Sequence, residues 1–388
     1  MFTPSFAFTP EQEEFRAEVR AIVRSDAVRR ELIDAKKATP WPNPAGAYRA
    51  LGNAGLLAPD WPAVYGGRDA TIVESAIVAE EMSLAGIPDS ARVNTIDNAG
   101  STILAAGTEQ QKGTHLPGMA AGERFSVVLY SEPEAGSDLG GLKARADRDG
   151  DGWRLTGEKI WNVGAPEAEF GICLARTGHG ASKYSGLSVF IAPLHVPGVD
   201  INEVSGFNPE AFNHVVFDGV PLAEDALVGE LGGGWQLINT ALAVERTGVY
   251  FYGHAQRWLT LLTQFELPAA AAEQAQLLQA ELDAARLLTW RCVDLLNHGE
   301  DATAAATSAK WWTSELTGRV AELAWGCREV FGTSSRAEDP DQGLPSTRDE
   351  LINSLSEAPG LAIAGGTSEM MLATVSAALL DDVSEVAR

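Results

Sequence analysis

Apolar side chains recur at the spacing of an amphipathic helix through the first third of the chain. The first stripe follows Thr9-Pro10-Glu11-Gln12, in which Thr9 is an N-cap residue, proline lies in the first turn and Gln12 completes a capping box. The periodic segments are Phe15 to Val23, Tyr48 to Leu56, Val73 to Ser83 and Ala99 to Ala106. This pattern predicts an all-helical N-terminal domain at residues 1–123.

Near Phe125 the pattern changes to short alternating runs of apolar and polar residues, separated by turn formers. The runs are Phe125–Tyr130, Trp153–Leu155, Phe170–Ala175, Leu187–Ile191 and Asn213–Phe217. Runs of this kind predict β-strands, and a series of them with short connections predicts a small barrel or sandwich. We therefore expect a central β domain at residues 124–229.

Long helical patterns return after the glycine-rich stretch Gly229 to Gly234. The predicted helices are Trp235–Phe265, Ala269–Asn297, Thr303–Phe331 and one from about Thr367 to Leu380. Long helices with short connections favour a bundle, which we place at residues 230–388. The predicted fold class is α+β, with an N-terminal helical domain, a central β-barrel or sandwich and a C-terminal four-helix bundle.

Composition and charge narrow the range of partners. The chain has 388 residues and 53 acidic against 29 basic side chains, and its net charge of −24 opposes binding to nucleic acid and to anionic membranes. The widely separated Cys173, Cys292 and Cys327 are typical of buried side chains in a reducing compartment, and they predict no metal site. We see no signal-peptide pattern and no apolar run of membrane-spanning length, and we expect a cytoplasmic location.

The segment Tyr130-Ser131-Glu132-Pro133-Glu134-Ala135-Gly136-Ser137-Asp138 suggests a binding site. A strand there ends in turn formers, so the loop exposes backbone N–H groups and hydroxyls that can hold an anionic or carbonyl-rich ring. Trp161, at the end of Gly157-Glu158-Lys159-Ile160-Trp161, adds a flat apolar wall. A flavin requires hydrogen bonds along one edge and a stacking surface on one face. The two segments together indicate such a site.

In this order the two segments resemble the flavin-contacting strands of the acyl-CoA dehydrogenase family. The resemblance extends to Trp61-Pro62-x-x-Tyr65-Gly66-Gly67 and to Ile363-Ala364-Gly365-Gly366-Thr367-Ser368-Glu369. It implies the family's three-domain fold, FAD as cofactor and α,β-dehydrogenation of an acyl thioester to a trans-2-enoyl thioester. It also implies that electrons pass to an electron-transfer flavoprotein or a similar acceptor.

The resemblance assigns contacts to individual residues. Leu129, Tyr130 and Ser131 match the strand at the flavin's pyrimidine edge, and Trp161 matches the stacking residue. Ser137 matches a residue between the cofactor phosphates and the substrate's pantetheine. The remaining cofactor positions are Gly136, Val163, Thr367, Ser368 and Glu369, and the remaining substrate positions are Arg246 and Gly366.

The family reaction requires a carboxylate base, and many members place a glutamate directly before the Gly-Thr-Ser of the last loop, where this chain has Gly365. A second family arrangement places the glutamate before an arginine on the first long helix of the bundle. Here that helix carries Glu245 and Arg246. On a continuous helix Glu245 shares an apolar face with Leu242 and Val249, and a carboxylate there is costly unless it is paired or catalytic. We assign Glu245 as the base, with a structural ion pair as the alternative.

Three features depart from the family pattern. Val163 replaces the usual Thr or Ser near flavin N5. In the family, an Arg-x-x-Phe-Gly segment of a neighbouring subunit binds the cofactor's pyrophosphate. That segment is missing here, and the most similar sequence is Leu262 to Glu266. The glycine-rich loop after the third long helix is reduced to Phe331 to Ser335. These changes resemble an actinobacterial branch of the family that acts on sterol side chains or other bulky acyl groups, in part as paired unlike subunits.

The resemblance therefore implies either a homo-oligomer, dimeric or tetrameric, or a hetero-oligomer with a related chain. Three alternatives to the acyl-CoA dehydrogenase stay open. The same chemistry can act on an acyl group bound to a carrier protein. The loss of a hydroxyl at Val163 suits a flavin monooxygenase on this fold. The weakened cofactor motifs suit a catalytically silent subunit of a mixed complex.

Overall fold

The computed structural model describes residues 7–38, 44–207, 211–332 and 347–386. The N-terminal helices are α1 (Pro10–Val23), α2 (Asp26–Ala38), α3 (Ala45–Asn53), α4 (Ile72–Ala85), α5 (Ser90–Arg92), α6 (Ser101–Ala106) and α7 (Glu109–Ala120), with a π-helical segment, Val93–Gly100, between α5 and α6. The capping box that opens α1 is confirmed. Thr9 Oγ1 accepts from the backbone N–H of Gln12 at 3.2 Å, and Gln12 Oε1 accepts from the N–H of Thr9 at 3.0 Å.

The central domain is a mixed β-sheet. Its strands are β1 (Ser126–Leu129), β2 (Arg145–Asp149), β3 (Gly152–Val163), β4 (Phe170–Arg176), β5 (Leu187–Pro193), β6 (Val199–Val204), β7 (Phe212–Leu222) and β8 (Leu227–Val228). The strand order is β6-β7-β3-β2-β4-β5-β8, and β1 pairs in parallel with β4. The apolar pattern does not reveal β2 and β6, because most of their side chains are polar and exposed.

The C-terminal helices are α8 (Gly234–Glu245), α9 (Val249–Leu262), α10 (Ala269–Asn297), α11 (Thr303–Gly326), α12 (Thr347–Ile363) and α13 (Ser368–Val386). Helices α9 to α12 share an apolar core that includes Trp258, Leu282, Val320 and Leu351. The predicted fold class is thus confirmed, with helices first, a sheet domain in the centre and a helical bundle last. The domain boundaries stay predictions.

The single helix predicted from Trp235 to Phe265 is wrong. Helix α8 ends at Glu245 and α9 begins at Val249, because Gly248 adopts φ +86° and acts as the N-cap of α9. A Cβ on Gly248 would lie 3.0 Å from Thr289 Oγ1 on α10, so close packing also requires glycine. Glu245 and Val249 therefore lie on different helices, and the prediction of one continuous helical face that joins them is wrong.

Two smaller differences concern the end of the bundle. Helix α12 is missing from the prediction because Pro359, inside it, reads as a helix breaker. Helix α11 ends at Gly326 instead of Phe331, which lies in a 3-10 turn, Arg328–Gly332. The three cysteines are buried and free, as predicted.

Buried ion pairs fasten the N-terminal domain to the bundle. On α4, Glu80 and Glu81 are almost fully buried and both accept from Arg16 of α1, at 2.5 and 2.9 Å. Glu80 also accepts from Arg286 of α10 at 2.7 Å. A second group of ion pairs, the His254 cluster, consists of His254 of α9, Asp89 and Glu357. His254 Nε2 lies 2.9 Å from Asp89 Oδ2, and its Nδ1 lies 3.3 Å from Glu357 Oε1 on α12.

The His254 cluster should make the free energy of unfolding depend on pH. Burial disfavours the charged imidazole, but Asp89 and Glu357 outweigh it and raise the pKa of His254 from 6.5 to about 9. Because the pKa is raised on folding, the stabilisation is complete below about pH 6.5 and is lost as the pH rises through about 9. Between pH 6 and 9.5 the free energy of unfolding should fall by on the order of 2–3 kcal/mol more in the wild type than in His254→Gln.

Denaturant unfolding at the two pH values measures this difference. His298→Gln is the matched control, since His298 is exposed and lies 3.3 Å from Asp294 within one helix turn. The control should keep the wild-type pH dependence. Parallel wild-type and His254→Gln curves would contradict the prediction.

Candidate active site

A buried ion pair holds the loop that begins at Tyr130. Lys159 Nζ, on β3, donates to Glu132 Oε1 at 2.8 Å and to the carbonyl oxygen of Tyr130 at 3.0 Å. The side chains of Lys159 and Glu132 are 0% and 5% exposed. The Glu132 carboxylate also accepts from the backbone N–H groups of Lys143 at 2.6 Å and Ala144 at 2.9 Å. The pair therefore fixes both ends of the loop to β3, a role that the motif alone did not reveal.

Local backbone geometry turns Trp161 outward. Its φ is +67°, which is rare for a bulky residue, and the register between β3 and β7 shifts between Ile160 and Asn162. A bulge of this kind re-aims a side chain, and backbone strain concentrates at functional sites. The indole is 54% exposed and packs edge-on against Phe212. The N–H of Ile160 donates to the carbonyl of Ser131 at 3.0 Å, so the exposed indole lies beside the start of the loop.

The predicted cofactor positions on the loop fit a flat ring with acceptors along one edge. Leu129 and Tyr130 are buried, Ser131 is partly buried, and Gly136 and Ser137 are exposed. A Cβ on Gly136 would meet no atom within 4 Å, so the loop leaves open space there. In a flavin complex these residues would provide the edge, and Trp161 would provide the wall. The observed geometry thus suits a flavin on this side of the site.

Val163, at the end of β3, connects the sheet to the N-terminal domain. Its carbonyl oxygen accepts from Asn94 Nδ2 at 3.3 Å, and its side chain has no hydroxyl to offer. Asn94 belongs to the π-helical segment, which packs against both β1 and α8. Such π-helical turns occur often at functional sites. The sequence does not predict this contact of Asn94, because an isolated asparagine carries no periodic or motif signal.

The π-helical segment is held by charges on its inner side. Arg92, almost fully buried, donates to Asp97 at 3.2 Å, and the Tyr250 hydroxyl donates to the same carboxylate at 2.5 Å. Tyr250, Phe251 and Tyr252 are all buried. Tyr250 therefore belongs to an internal polar network that ties α9 to the π-helical segment.

The C-terminal loop lies between α12 and α13. Gly365 and Gly366 have φ of +68° and +116°, conformations that favour glycine. Arg246 Nε donates to the carbonyl of Gly365 at 2.8 Å. Thr367 caps α13, its Oγ1 accepting from the N–H of Met370, while Glu369 is exposed.

Helix α11 supplies further contacts to this loop. Lys310 Nζ donates to the carbonyls of Ala362 at 3.0 Å and Gly366 at 2.7 Å. Ser368 Oγ donates to Glu315 Oε1 at 2.5 Å. Neither Lys310 nor Glu315 is marked by the sequence motif.

The structure thus brings the predicted residues together in two groups. Ser131, Trp161 and Val163 form the first, and the second consists of Arg246, Gly366 and Ser368. The π-helical segment packs on β1, which ends shortly before Ser131, and on α8, which ends directly before Arg246. Glu245 is the last residue of α8, and its side chain lies outside the described part of the structure.

A cavity of about 400 Å³ lies elsewhere, between α7 and the sheet. Its lining includes His115, Arg124, Phe170 and Ile191, and none of the residues matched to flavin or substrate. It is therefore separate from the candidate active site. Within the described residues, no three His, Cys, Asp or Glu side chains converge as a metal site. The described helices include none that is both long and apolar enough to cross a membrane.

Comparisons with known proteins found relatives and solved structures that match nearly the whole chain. The relative named acyl-CoA dehydrogenase FadE34, from Mycobacterium tuberculosis, is 32% identical over 338 residues, which cover 85% of this chain but only 45% of that protein. Acyl-CoA dehydrogenase FadE29, from the same organism, is 29% identical over 386 residues, which cover 95% of this chain and 96% of that protein. The solved structure of the Tcur3481-Tcur3483 steroid ACAD is 28% identical with a TM-score of 0.83, covering 97% of this chain and 99% of that one.

Family models match the chain along nearly its whole length and in domain order. The model of the acyl-CoA dehydrogenase N-terminal domain matches residues 9–123, that of the middle domain residues 128–220, and that of the C-terminal domain residues 232–380. The chain belongs to the acyl-CoA dehydrogenase family, whose members are FAD-dependent oxidoreductases acting on CH–CH groups.

Proposed function

We propose that this chain is an acyl-CoA dehydrogenase that uses Glu245 as its base. The observation that carries the proposal is the 2.8 Å hydrogen bond from Arg246 Nε to the carbonyl of Gly365. Gly365 occupies the position at which many family members carry the base, and Arg246 directly follows Glu245. The end of α8 and this loop position are therefore neighbours. A carboxylate at position 245 can serve the same substrate carbon as one at position 365.

The chain's own residues divide the work as follows. Glu245 takes the α-proton, the β-carbon loses a hydride, and a C=C bond forms in the thioester. FAD, when bound, supplies the hydride acceptor. Ser131, which follows β1, and the exposed Gly136 and Ser137 offer hydrogen bonds to the cofactor, and Trp161 covers one face.

Local positive charge supports CoA as the thiol carrier. A CoA thioester is polyanionic, so a chain of net charge −24 needs cations where the thiol arm enters. Arg176 donates to the carbonyls of Gly140 at 2.9 Å and Lys183 at 3.1 Å, and it has no ion pair among the described residues. Lys183 pairs with Asp138 at 2.5 Å, beside Ser137. These cations gather at one turn, which suits a small polyanion better than the broad face of a carrier protein.

Anaerobic reduction tests the function. We expect purified protein to be yellow, with about one flavin per chain, and an acyl-CoA to bleach the flavin and yield the trans-2-enoyl-CoA. The same acyl group should be compared as its CoA, pantetheine and carrier-protein thioesters. The CoA thioester should give the highest kcat/KM. A higher value for the carrier thioester would favour the carrier alternative. Rapid re-oxidation by air with substrate bound, giving an oxygenated product, would favour the monooxygenase.

A second candidate, a subunit of a mixed complex, has an observation of its own. Ile363, Met370 and Leu372 lie in or beside the C-terminal loop and are exposed by 63%, 43% and 42%. A contiguous exposed apolar patch marks an interaction surface, and in this candidate the three side chains belong to one. The Tcur3481-Tcur3483 steroid ACAD and the ChsE4-ChsE5 complex are each named for two chains. In this candidate a related chain covers the loop and completes the flavin site, and the acyl group is bulky. Colourless protein that turns yellow only with a second chain would support it.

A further inference from the structure

The C-terminal loop rests on α11 at both sides of Gly365. Before and after that residue, Lys310 Nζ binds the carbonyls of Ala362 and Gly366, at 3.0 and 2.7 Å. One turn and a half along the same helix, Glu315 Oε1 accepts from Ser368 Oγ at 2.5 Å. Helix α11 therefore supports the loop between α12 and α13 through these hydrogen bonds.

The environment of Lys310 explains why an ammonium group stays inside the bundle. Lys310 is 0% exposed, and a buried charge is costly unless hydrogen bonds compensate it. The carbonyl of Ala362 belongs to the last turn of α12, where backbone acceptors lack partners within the helix and cations are favoured. Lys310 also lies 5.2 Å from the centre of the Phe251 ring. One side chain thus satisfies a helix end and the loop that follows it.

These contacts set the direction of the loop's peptide groups. In a trans peptide the carbonyl and the following N–H point in opposite directions. Because Lys310 holds the carbonyl of Gly366, the N–H of Thr367 points away from α11. Arg246, in the connection between α8 and α9, donates to the carbonyl of Gly365 at 2.8 Å. Both glycines have positive φ, so no side-chain preference of their own fixes this conformation.

We propose that Lys310 is a positioning residue for the candidate active site, which orients the Gly366–Thr367 peptide group of the C-terminal loop. The proposal rests on the proposed function for its catalytic consequence, but its structural consequence is independent of activity. Lys310 touches the loop backbone and acts through it. Removal of the ammonium should free the loop and misplace the groups that meet substrate and cofactor.

Hydrogen exchange of the flavin-loaded protein tests the structural part. In Lys310→Met, peptides covering residues 360–372 should exchange about tenfold faster than in the wild type, while peptides covering β1 stay unchanged. Lys112→Met is the control, since Lys112 pairs with Glu109 on α7, outside both groups of site residues. It should alter neither peptide. Unchanged exchange of residues 360–372 in Lys310→Met would overturn the proposal. If Lys310→Met fails to fold, Lys310→Gln, which keeps an N–H donor without the charge, replaces it in the same measurement.

Kinetics of the same variants test the catalytic part. For folded, flavin-loaded Lys310→Met we expect kcat to fall by about tenfold or more with a smaller change in KM, and Lys310→Gln should lie between that variant and the wild type. A lower melting temperature with wild-type kcat per flavin would show a purely structural role and overturn the positioning role. If the wild type itself oxidises no acyl thioester, the proposed function fails, and the exchange result still decides whether Lys310 holds the loop.

Discussion

Glu245→Gln is expected to leave the flavin bound and to stop its reduction by substrate. Glutamine keeps the shape of the side chain but cannot take the α-proton, and loss of a general base typically costs about 10²–10⁴-fold in rate. The proposed flavin contacts come from the segment Leu129 to Ser131, from Trp161 and from the C-terminal loop, so the flavin content should not change. Anaerobic stopped-flow mixing with an acyl-CoA measures the reduction rate, and absorbance measures the flavin per chain.

Moving the carboxylate from position 245 to position 365 gives a second test of the base assignment. Since Arg246 contacts the backbone of Gly365, a carboxylate introduced by Gly365→Glu in the Glu245→Gln background should restore part of the reduction rate. Recovery should be partial because φ of +68° at position 365 strains an L side chain. Glu230→Gln, an exposed carboxylate before α8, is the matched control and should behave as the wild type. Undiminished reduction in Glu245→Gln alone would refute the base assignment.

Periodicity revealed the order of the domains, because amphipathic helices and alternating strands repeat at different spacings. It failed where the backbone changes direction without changing the pattern. Gly248 is compatible with an apolar helical stripe, so the break between α8 and α9 is invisible in the sequence. Pro359 has the opposite effect, since it hides a real helix behind a residue that usually ends one.

The motifs identified the exposed parts of the site better than the parts that support it. Trp161 and the loop from Tyr130 carry the resemblance, whereas Glu132 and Lys159 have roles that depend on a partner 27 residues away. Lys310 and Gly366 are 56 residues apart. A charged residue in an apolar segment signals that a partner is needed, but no local pattern tells which residue it is.

Lys159→Met should destabilise the protein by about 3–5 kcal/mol, the cost typical of removing one partner of a buried ion pair. The variant leaves the Glu132 carboxylate buried, at 5% exposure, without its ammonium. It also leaves the carbonyl of Tyr130 without that donor. Because the same contacts hold the loop beside Trp161, flavin should be lost at lower denaturant concentrations than in the wild type. Denaturant unfolding and flavin absorbance measure the two effects.

Two further variants separate charge from hydrogen bonding and buried from exposed pairs. Glu132→Gln combined with Lys159→Met removes the unpaired charge but keeps an oxygen for the N–H groups of Lys143 and Ala144, so it should be more stable than Lys159→Met alone. Lys183→Met breaks the exposed pair with Asp138 in the same region and should leave the free energy of unfolding nearly unchanged. If Lys159→Met and Lys183→Met lowered the free energy of unfolding equally, the buried Glu132–Lys159 pair would not be what holds the loop that begins at Tyr130.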